Sequence, residues 1–161
     1  IPARELPDEE YPLMLTTGRI LYHYTTRAMT GRTPELMEIE GNSFIEINTE
    51  DAKKLGIENG ERVKVLSRRG EITSEARVSG KTNPGETWMP FHFPDGDCNW
   101  LTNAALDKYA RIPEYKVCAC RVEKIPEREA YTADGTYISQ KLVAQLKEAE
   151  LKVEAAGIIA D

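Results

Sequence analysis

The sequence contains few of the residues from which metal sites and disulfide frameworks are built. It has two histidines and three cysteines among 161 residues. A sparse, odd number of cysteines argues against a disulfide scaffold and favours a reducing compartment. No apolar run approaches the roughly 20 residues of a membrane-spanning helix, which excludes a transmembrane role. No segment near the first residue has the basic and apolar parts of a signal peptide, so we expect a cytoplasmic location.

An excess of positive charge is also lacking. The chain has 21 Lys and Arg against 27 Asp and Glu, a net charge of −6. Non-specific binding of nucleic acid needs Lys and Arg to displace counterions, so we expect no nucleic-acid partner. Residues 1–10 and 126–161 each sum to −3, whereas residues 11–125 hold sixteen acids and sixteen bases. We predict a linker or acidic lead-in at 1–10, the folded core at 11–125 and a C-terminal extension at 126–161. Since the chain begins at Ile1 rather than Met, we expect a piece of a longer protein.

The neutral segment has the pattern of a mainly β protein with short helices. The predicted strands are Tyr11–Thr17, Phe44–Ile47, Arg62–Leu66, Glu71–Val78, Thr87–Phe91 and Tyr115–Val122. Short helices are predicted over Glu50–Leu55, ended by Gly56, and over Asn103–Tyr109. Several short strands with little room between them favour a small barrel over an open sheet.

The last part of the chain has a different, helical periodicity. Its apolar residues recur at steps of four, four, three and four. They are Ile138, Leu142, Leu146, Ala149 and Val153. This spacing predicts an amphipathic helix after the barrel.

Signatures of self-contained catalysis are missing. The sequence has no G-x-S-x-G, no H-E-x-x-H, no phosphate-binding glycine loop and no G-x-G-x-x-G. A metal site would need both His23 and His92 or would depend on cysteine, and the C-x-C spacing of Cys118 and Cys120 is not the usual zinc pattern. We therefore predict no metal ligand and no catalytic group, and we predict that the cysteines are buried and structural.

Three segments carry groups suited to a ligand. Gly18, Arg19 and His23 follow the first strand, where open backbone amides and a guanidinium suit a phosphate or diphosphate; an ordinary surface loop explains them equally well. The aromatic run 88–94 is explained by core packing. Two amides in 98–103 could bind the edge of a heterocycle, and Lys116 could meet an anion.

Several short motifs, taken in order, resemble one family over about residues 11–125. They are Thr16-Thr17-Gly18-Arg19, His23, Met29-Thr30-Gly31, Ile47–Ala52 with Leu55-Gly56-Ile57, Val63–Gly70, Asn99-x-Leu101-Thr102 and Pro113-Glu114-Tyr115-Lys116. The segment resembles the C-terminal molybdopterin-dinucleotide-binding domain of the dimethyl-sulfoxide-reductase-type molybdenum and tungsten oxidoreductases. Among them it is most similar to the catalytic (alpha) subunit of formate dehydrogenase, and the tract 113–123 favours that member.

The resemblance implies a double-psi β-barrel that binds a bis(molybdopterin guanine dinucleotide) carrying molybdenum or tungsten. It places an iron–sulfur cluster only in domains outside this chain. By position it implies nine cofactor-binding residues. They are Thr17, Gly18, Arg19, His23, Phe91, His92, Asn99, Tyr115 and Lys116.

The leading hypothesis is therefore a cofactor-binding domain of a formate dehydrogenase. Its partners would be the cofactor and the remaining domains of the catalytic subunit, and the parent enzyme would oxidise formate to carbon dioxide. We expect the isolated chain to be inactive. The alternatives are a free-standing pterin-cofactor carrier, the same domain of a sister oxidoreductase with another substrate, and a small independent enzyme that uses His92 and a cysteine.

Overall fold

The computed structural model describes residues 2–125, and strands within that range close into a barrel. The strands are β1 (Leu13–Gly18), β2 (Phe44–Asn48), β3 (Arg62–Leu66), β4 (Glu71–Ser79), β5 (Glu86–Pro90) and β6 (Cys118–Lys124). Their order around the barrel is β1-β5-β2-β4-β3-β6. The prediction of a small, mainly β barrel is confirmed.

The order and direction of the strands make this a double-psi barrel. β1 runs parallel to β5, and β5 runs antiparallel to β2, so the consecutive strands β1 and β2 flank β5. In the same way β4 runs parallel to β2, so the consecutive strands β4 and β5 flank β2. Each set of two connected antiparallel strands with a third inserted between them is a psi motif, and here the two motifs share β2 and β5. The predicted fold is confirmed.

Short helices lie in the connections between strands. They are α1 (Pro34–Ile39), α2 (Thr49–Leu55) and 3-10 turns at Thr30–Arg32, Pro94–Gly96 and Cys98–Trp100. The side chain of Asn48 accepts a hydrogen bond from the backbone N–H of Glu50 and so caps the start of α2. Gly56 ends α2 at φ 67°, a left-handed conformation that glycine adopts without steric cost. The predicted helix over Glu50–Leu55 is thus confirmed, beginning one residue earlier.

The core fills the inside of the barrel with aliphatic side chains from alternate strand positions. Leu15, Ile45, Ile47, Val63 and Val65 are fully buried. Burying a Leu, Ile or Val side chain stabilises a fold by roughly 1.5–3 kcal/mol, so these residues hold the barrel closed.

The helix predicted over Asn103–Tyr109 is wrong. The side chain of Asn103 accepts from the backbone N–H of Ala105 at 2.8 Å and donates to the carbonyl of Val117 at 2.8 Å. The carboxylate of Asp107 accepts from the backbone N–H groups of Tyr109 and Ala110. These side chains bind backbone groups that a helix would use, and the segment forms turns instead.

The strand predicted from Tyr115 begins later, at Cys118. The carbonyls of Tyr115 and Lys116 accept hydrogen bonds from the hydroxyls of Thr17 and Thr16, at 3.0 and 2.6 Å. Hydrogen bonds from side chains of β1 therefore hold residues 115–116, where backbone hydrogen bonds of a strand were expected.

Residues before the barrel contact it through Glu5. The carboxylate of Glu5 binds the guanidinium of Arg69 and accepts from the backbone N–H of Ala119 at 2.7 Å. The predicted helix over 138–153 lies outside the described residues. Within residues 2–125, no helix is both long enough and apolar enough to span a bilayer.

Candidate functional site

The ends of the parallel strands β1 and β5 lie side by side and form the floor of the candidate site. Gly18 pairs with Pro90, and the backbone N–H of Phe91 donates to the carbonyl of Gly18 at 3.2 Å. A Cβ at position 18 would lie 2.5 Å from Nε1 of Trp88. Glycine is therefore required here by the close approach of an indole ring.

The segment before β6 docks on the end of β1. The hydroxyl of Thr17 donates to the carbonyl of Tyr115, and the ammonium of Lys116 donates to the carbonyl of Thr17. These contacts bring together Thr17, Gly18, Phe91, Tyr115 and Lys116, which the sequence places up to 99 positions apart.

Arg19 presents a guanidinium to solvent at this end of the barrel. It is exposed, and its Cζ lies 5.3 Å from the centre of the Phe91 ring. Within residues 2–125 the Arg19 side chain has no carboxylate partner. Five other arginines differ, since each of these five pairs with an acid. These are Arg27, Arg68, Arg69, Arg77 and Arg121.

A second cation strengthens the positive charge of the site. Lys116 anchors to the Thr17 carbonyl, one residue from Gly18 and two from Arg19. A carbonyl oxygen carries no formal charge, so this contact does not pair Lys116 with an anion. Two cationic side chains at this end of the barrel suit an anion, and the guanidinium can donate two parallel hydrogen bonds to a phosphate.

His92 follows Phe91 and is almost fully buried, at 1% exposure. Its Nε2 lies 3.1 Å from the backbone nitrogen of Ile20, and its Nδ1 lies within hydrogen-bond distance of the carbonyl of Thr25. A backbone N–H can only donate and a carbonyl can only accept. Nε2 is therefore the acceptor and Nδ1 carries the proton, so both ring nitrogens are engaged by backbone.

His23 is buried next to His92, and both of its ring nitrogens also lie within hydrogen-bond distance of protein groups. Its Nε2 lies against the carbonyl of Glu40, and its Nδ1 lies 3.0 Å from the hydroxyl of Thr30. Its ring stands edge-on to Phe93, with centroids 5.5 Å apart. His23 thus links the segment after β1 to the end of α1.

Asn99 lies in a 3-10 turn of the β5–β6 connection, and its side chain is exposed. Its backbone N–H is capped by the carboxylate of Asp97 at 2.9 Å. The neighbouring thiol of Cys98 contacts the carbonyl of Pro90 at 3.7 Å, which holds this turn against the end of β5.

A cavity of about 570 Å³ lies on the other side of the β1 end. Trp88 and Phe44 form its apolar wall. Its lining includes two acid–base pairs, Glu40 with Arg77 and Glu46 with Lys81, and a further carboxylate, Glu86. The predicted cofactor residues do not line it, and its paired charges attract an anion less than Arg19 and Lys116 do.

The cysteines are buried and free, as predicted. Burial raises the pKa of Cys98 and of Cys120 to about 12. Their thiols are therefore protonated at neutral pH and are poor nucleophiles and poor metal ligands. Among residues 2–125 no three His, Cys, Asp or Glu side chains converge as a metal site would require.

Three important groups were not predicted from the sequence. Trp88 forms the wall against Gly18, and the backbone groups of Ile20 and Thr25 receive His92. Spacing gives no signal for any of them, because each contact joins residues 67–72 positions apart.

Comparisons with known proteins show the family to which this chain is related. Residues 13–119 match the family described as "Molydopterin dinucleotide binding domain". The chain is 55% identical over 121 residues to the F420-dependent formate dehydrogenase subunit alpha of Methanocaldococcus jannaschii, a match that covers 75% of this chain and 18% of that protein. It is 48% identical over 124 residues to a nitrate reductase of Symbiobacterium thermophilum, covering 74% of this chain and 16% of that protein. The chain thus spans less than a fifth of the length of these relatives.

The fold also has a counterpart among solved structures. Acetylene hydratase from Pelobacter acetylenicus superposes with a TM-score of 0.67 at 16% identity, covering 78% of this chain and 21% of that one. At this identity the likeness shows the fold alone. The family match spans most of the barrel. Formate dehydrogenase alpha subunits are identical to this chain at about half of the aligned residues or more. The chain therefore belongs to the molydopterin dinucleotide binding domain family.

Proposed function

We propose that this chain is the domain with which a formate dehydrogenase binds molybdopterin guanine dinucleotide. The reaction of the parent enzyme would be the oxidation of formate to carbon dioxide, with the catalytic groups in other domains of the same subunit. The 55% identity to a protein named formate dehydrogenase subunit alpha supports this assignment. The small share of that relative which the chain covers favours a domain of a large subunit over a free-standing cofactor carrier.

One observation carries the binding role. Arg19 is exposed, rests on Phe91 and has no acid partner within the described residues, and the ammonium of Lys116 is anchored two residues away, on the carbonyl of Thr17. A guanidinium without an acid partner, with an ammonium anchored nearby in the chain, suits the phosphates of a dinucleotide. Arg19 and Lys116 would hold the anionic part, and the exposed amide of Asn99 would donate to or accept from a heterocycle edge.

The chain's own residues bind and orient, and they carry no redox group. When bound, the pterin dinucleotide supplies dithiolene sulfurs for molybdenum or tungsten and with them the redox chemistry. Thr17 and Tyr115 fix the segment that carries Lys116, so this cation is held in place before the ligand arrives. The iron–sulfur cluster is assigned to the remaining domains, which are also the proposed partners, and the enzyme is assigned to the cytoplasm.

The test is the cofactor content of Arg19 variants of the full-length subunit. Arg19→Ala removes charge-assisted hydrogen bonds worth roughly 1.5–3 kcal/mol each before screening, so pterin and metal per folded protein should fall. Arg19→Lys should restore only part, because an ammonium cannot make two parallel bonds. Arg121→Ala is the matched control, since Arg121 lies beyond the Leu13 end of β1 and pairs with Glu123. Unchanged occupancy in Arg19→Ala would refute the anion site.

The same domain in a sister oxidoreductase is the second candidate, favoured by the 48% identity to a nitrate reductase. Assays of the full-length enzyme with an artificial electron carrier separate the two. Formate-dependent reduction of oxidised viologen supports a formate dehydrogenase, whereas nitrate-dependent oxidation of reduced viologen supports a nitrate reductase.

A further inference from the structure

The segment that follows Gly18 is held by polar contacts. Several of its apolar side chains are exposed to solvent. We call residues 19–29 the arginine loop. Leu21 is 89% exposed, and Tyr24 and Met29 are 66% and 69% exposed. Burial of these side chains therefore contributes little to the conformation of the loop, which must be fixed in another way.

The backbone of the arginine loop also has conformations that need external support. Thr25 has φ 46° and Arg27 has φ 64°, both in the left-handed region that residues with a Cβ rarely adopt. Such conformations persist only when surrounding contacts over-determine them. The guanidinium of Arg27 donates to the carbonyl of Gly41 at 2.6 Å and pairs with Asp95 at 3.2 Å, which secures the far part of the loop.

His92 secures the near part. It accepts from the N–H of Ile20, the residue directly after Arg19, and donates to the carbonyl of Thr25, the first left-handed residue. One ring thereby fixes two points of the loop that are five residues apart. With both nitrogens engaged by backbone, His92 has no ring donor or acceptor left for a ligand.

We propose that His92 is a positioning residue: it orients the Arg19 guanidinium toward the dinucleotide by clamping the backbone at Ile20 and Thr25, and it makes no polar contact with the cofactor itself. This inference rests on the proposed function for the identity of the ligand. The clamp itself rests only on the geometry of His92, Ile20 and Thr25.

Two conservative variants separate the two anchors. In His92→Gln the Oε1 atom reaches the position of Nε2 and can accept from Ile20. In His92→Asn the Nδ2 atom takes the position of Nδ1 and can donate to Thr25, which leaves the Ile20 N–H unpaired. The measurements are hydrogen exchange in peptides that contain Ile20, and pterin and metal content, both in the full-length subunit.

We expect cofactor content to follow the protection of Ile20. His92→Asn should speed exchange at Ile20 by about tenfold, the effect of losing one hydrogen bond, and should lower pterin content. His92→Gln should keep more of both. Thr87→Val is the matched control, because it removes a part-buried hydrogen bond from β5, the strand that precedes His92, to the carbonyl of Met14, and leaves the loop anchors intact.

Two results would overturn the proposal. Loss of cofactor with Ile20 still protected would mean that His92 contacts the ligand directly. Loss of Ile20 protection with full cofactor content would mean that the clamp does not orient Arg19. If the unaltered subunit contains no pterin, the proposed function fails, yet the exchange measurement still decides whether His92 clamps the loop.

Discussion

Replacing Gly18 with alanine tests the packing of the candidate site, because two effects of opposite sign meet there. Gly18 has no left-handed backbone conformation, so alanine would otherwise stabilise the fold by about 0.4–1 kcal/mol by restricting the unfolded chain. The new Cβ, however, would lie 2.5 Å from Nε1, 2.7 Å from Cζ2 and 2.8 Å from Cε2 of Trp88. Overpacking of this kind costs about 1–3 kcal/mol. We expect a net destabilisation of about 1–2 kcal/mol.

Urea unfolding followed by far-ultraviolet circular dichroism measures this difference without depending on tryptophan fluorescence. Gly80→Ala is the matched control, because a Cβ at position 80 meets nothing within 4 Å. It should be neutral or slightly stabilising. In a Trp88→Leu background, which lacks the three contacted atoms, Gly18→Ala should also become neutral or stabilising. A Gly18→Ala chain as stable as the unaltered one, or a cost that persists without the indole, would refute the steric explanation.

Two further predictions concern the edges of the barrel and its thiols. Burial alone would raise the pKa of Glu5, but hydrogen bonds from Arg69 and from the backbone N–H of Ala119 outweigh it and lower the pKa below the ordinary 4.5. The ionised Glu5 carboxylate therefore stabilises the fold fully above pH 4.5, and this stabilisation is lost as the pH falls through the folded-state pKa. Glu5→Gln should destabilise the chain by about 1–2 kcal/mol at pH 7 and by less in acid. Urea midpoints measured at both pH values test this. Cys98 and Cys120, with thiol pKa raised to about 12 by burial, should resist iodoacetamide at pH 8 until the chain is unfolded; rapid native labelling would contradict their burial.

Local features of the fold were predictable from local sequence. Asn48 caps the start of helix α2 with its side chain, Gly56 ends the helix in a left-handed conformation, and the hairpin of β3 and β4 forms where Arg69-Gly70 breaks the strand pattern. The order of the strands was not predictable by the same means. It depends on the parallel pairs β1–β5 and β2–β4, whose members are separated by long stretches of chain, and strand periodicity says nothing about partners.

The candidate site shows the same division between local and distant causes. Motif resemblance placed Thr17, Gly18 and Arg19 together. The sequence-based explanation for Gly18 was that it exposes backbone amides, whereas the structure explains this glycine by its close contact with Trp88. His23 and His92 are predicted to bind the cofactor; that role stays a proposal for His23, whereas for His92 we propose positioning without a polar contact to the cofactor. The structure places each ring nitrogen of both residues within hydrogen-bond distance of a protein group. The residue type shows that a side chain can donate a hydrogen bond, but only the fold determines which group accepts it.

The distribution of these contacts bears on how one barrel can serve different enzymes. Thr17, His23 and His92 hold the loops through hydrogen bonds, whereas Arg19, Asn99 and Lys116 are exposed toward solvent. In the proposed function these groups bind the charge and a heterocycle edge of the cofactor rather than the substrate. Relatives with either name can then share about half of the residues of this domain. We therefore expect substrate preference to follow the remaining domains when this barrel is exchanged between such enzymes, and a change of substrate on exchanging the barrel alone would contradict this division of roles.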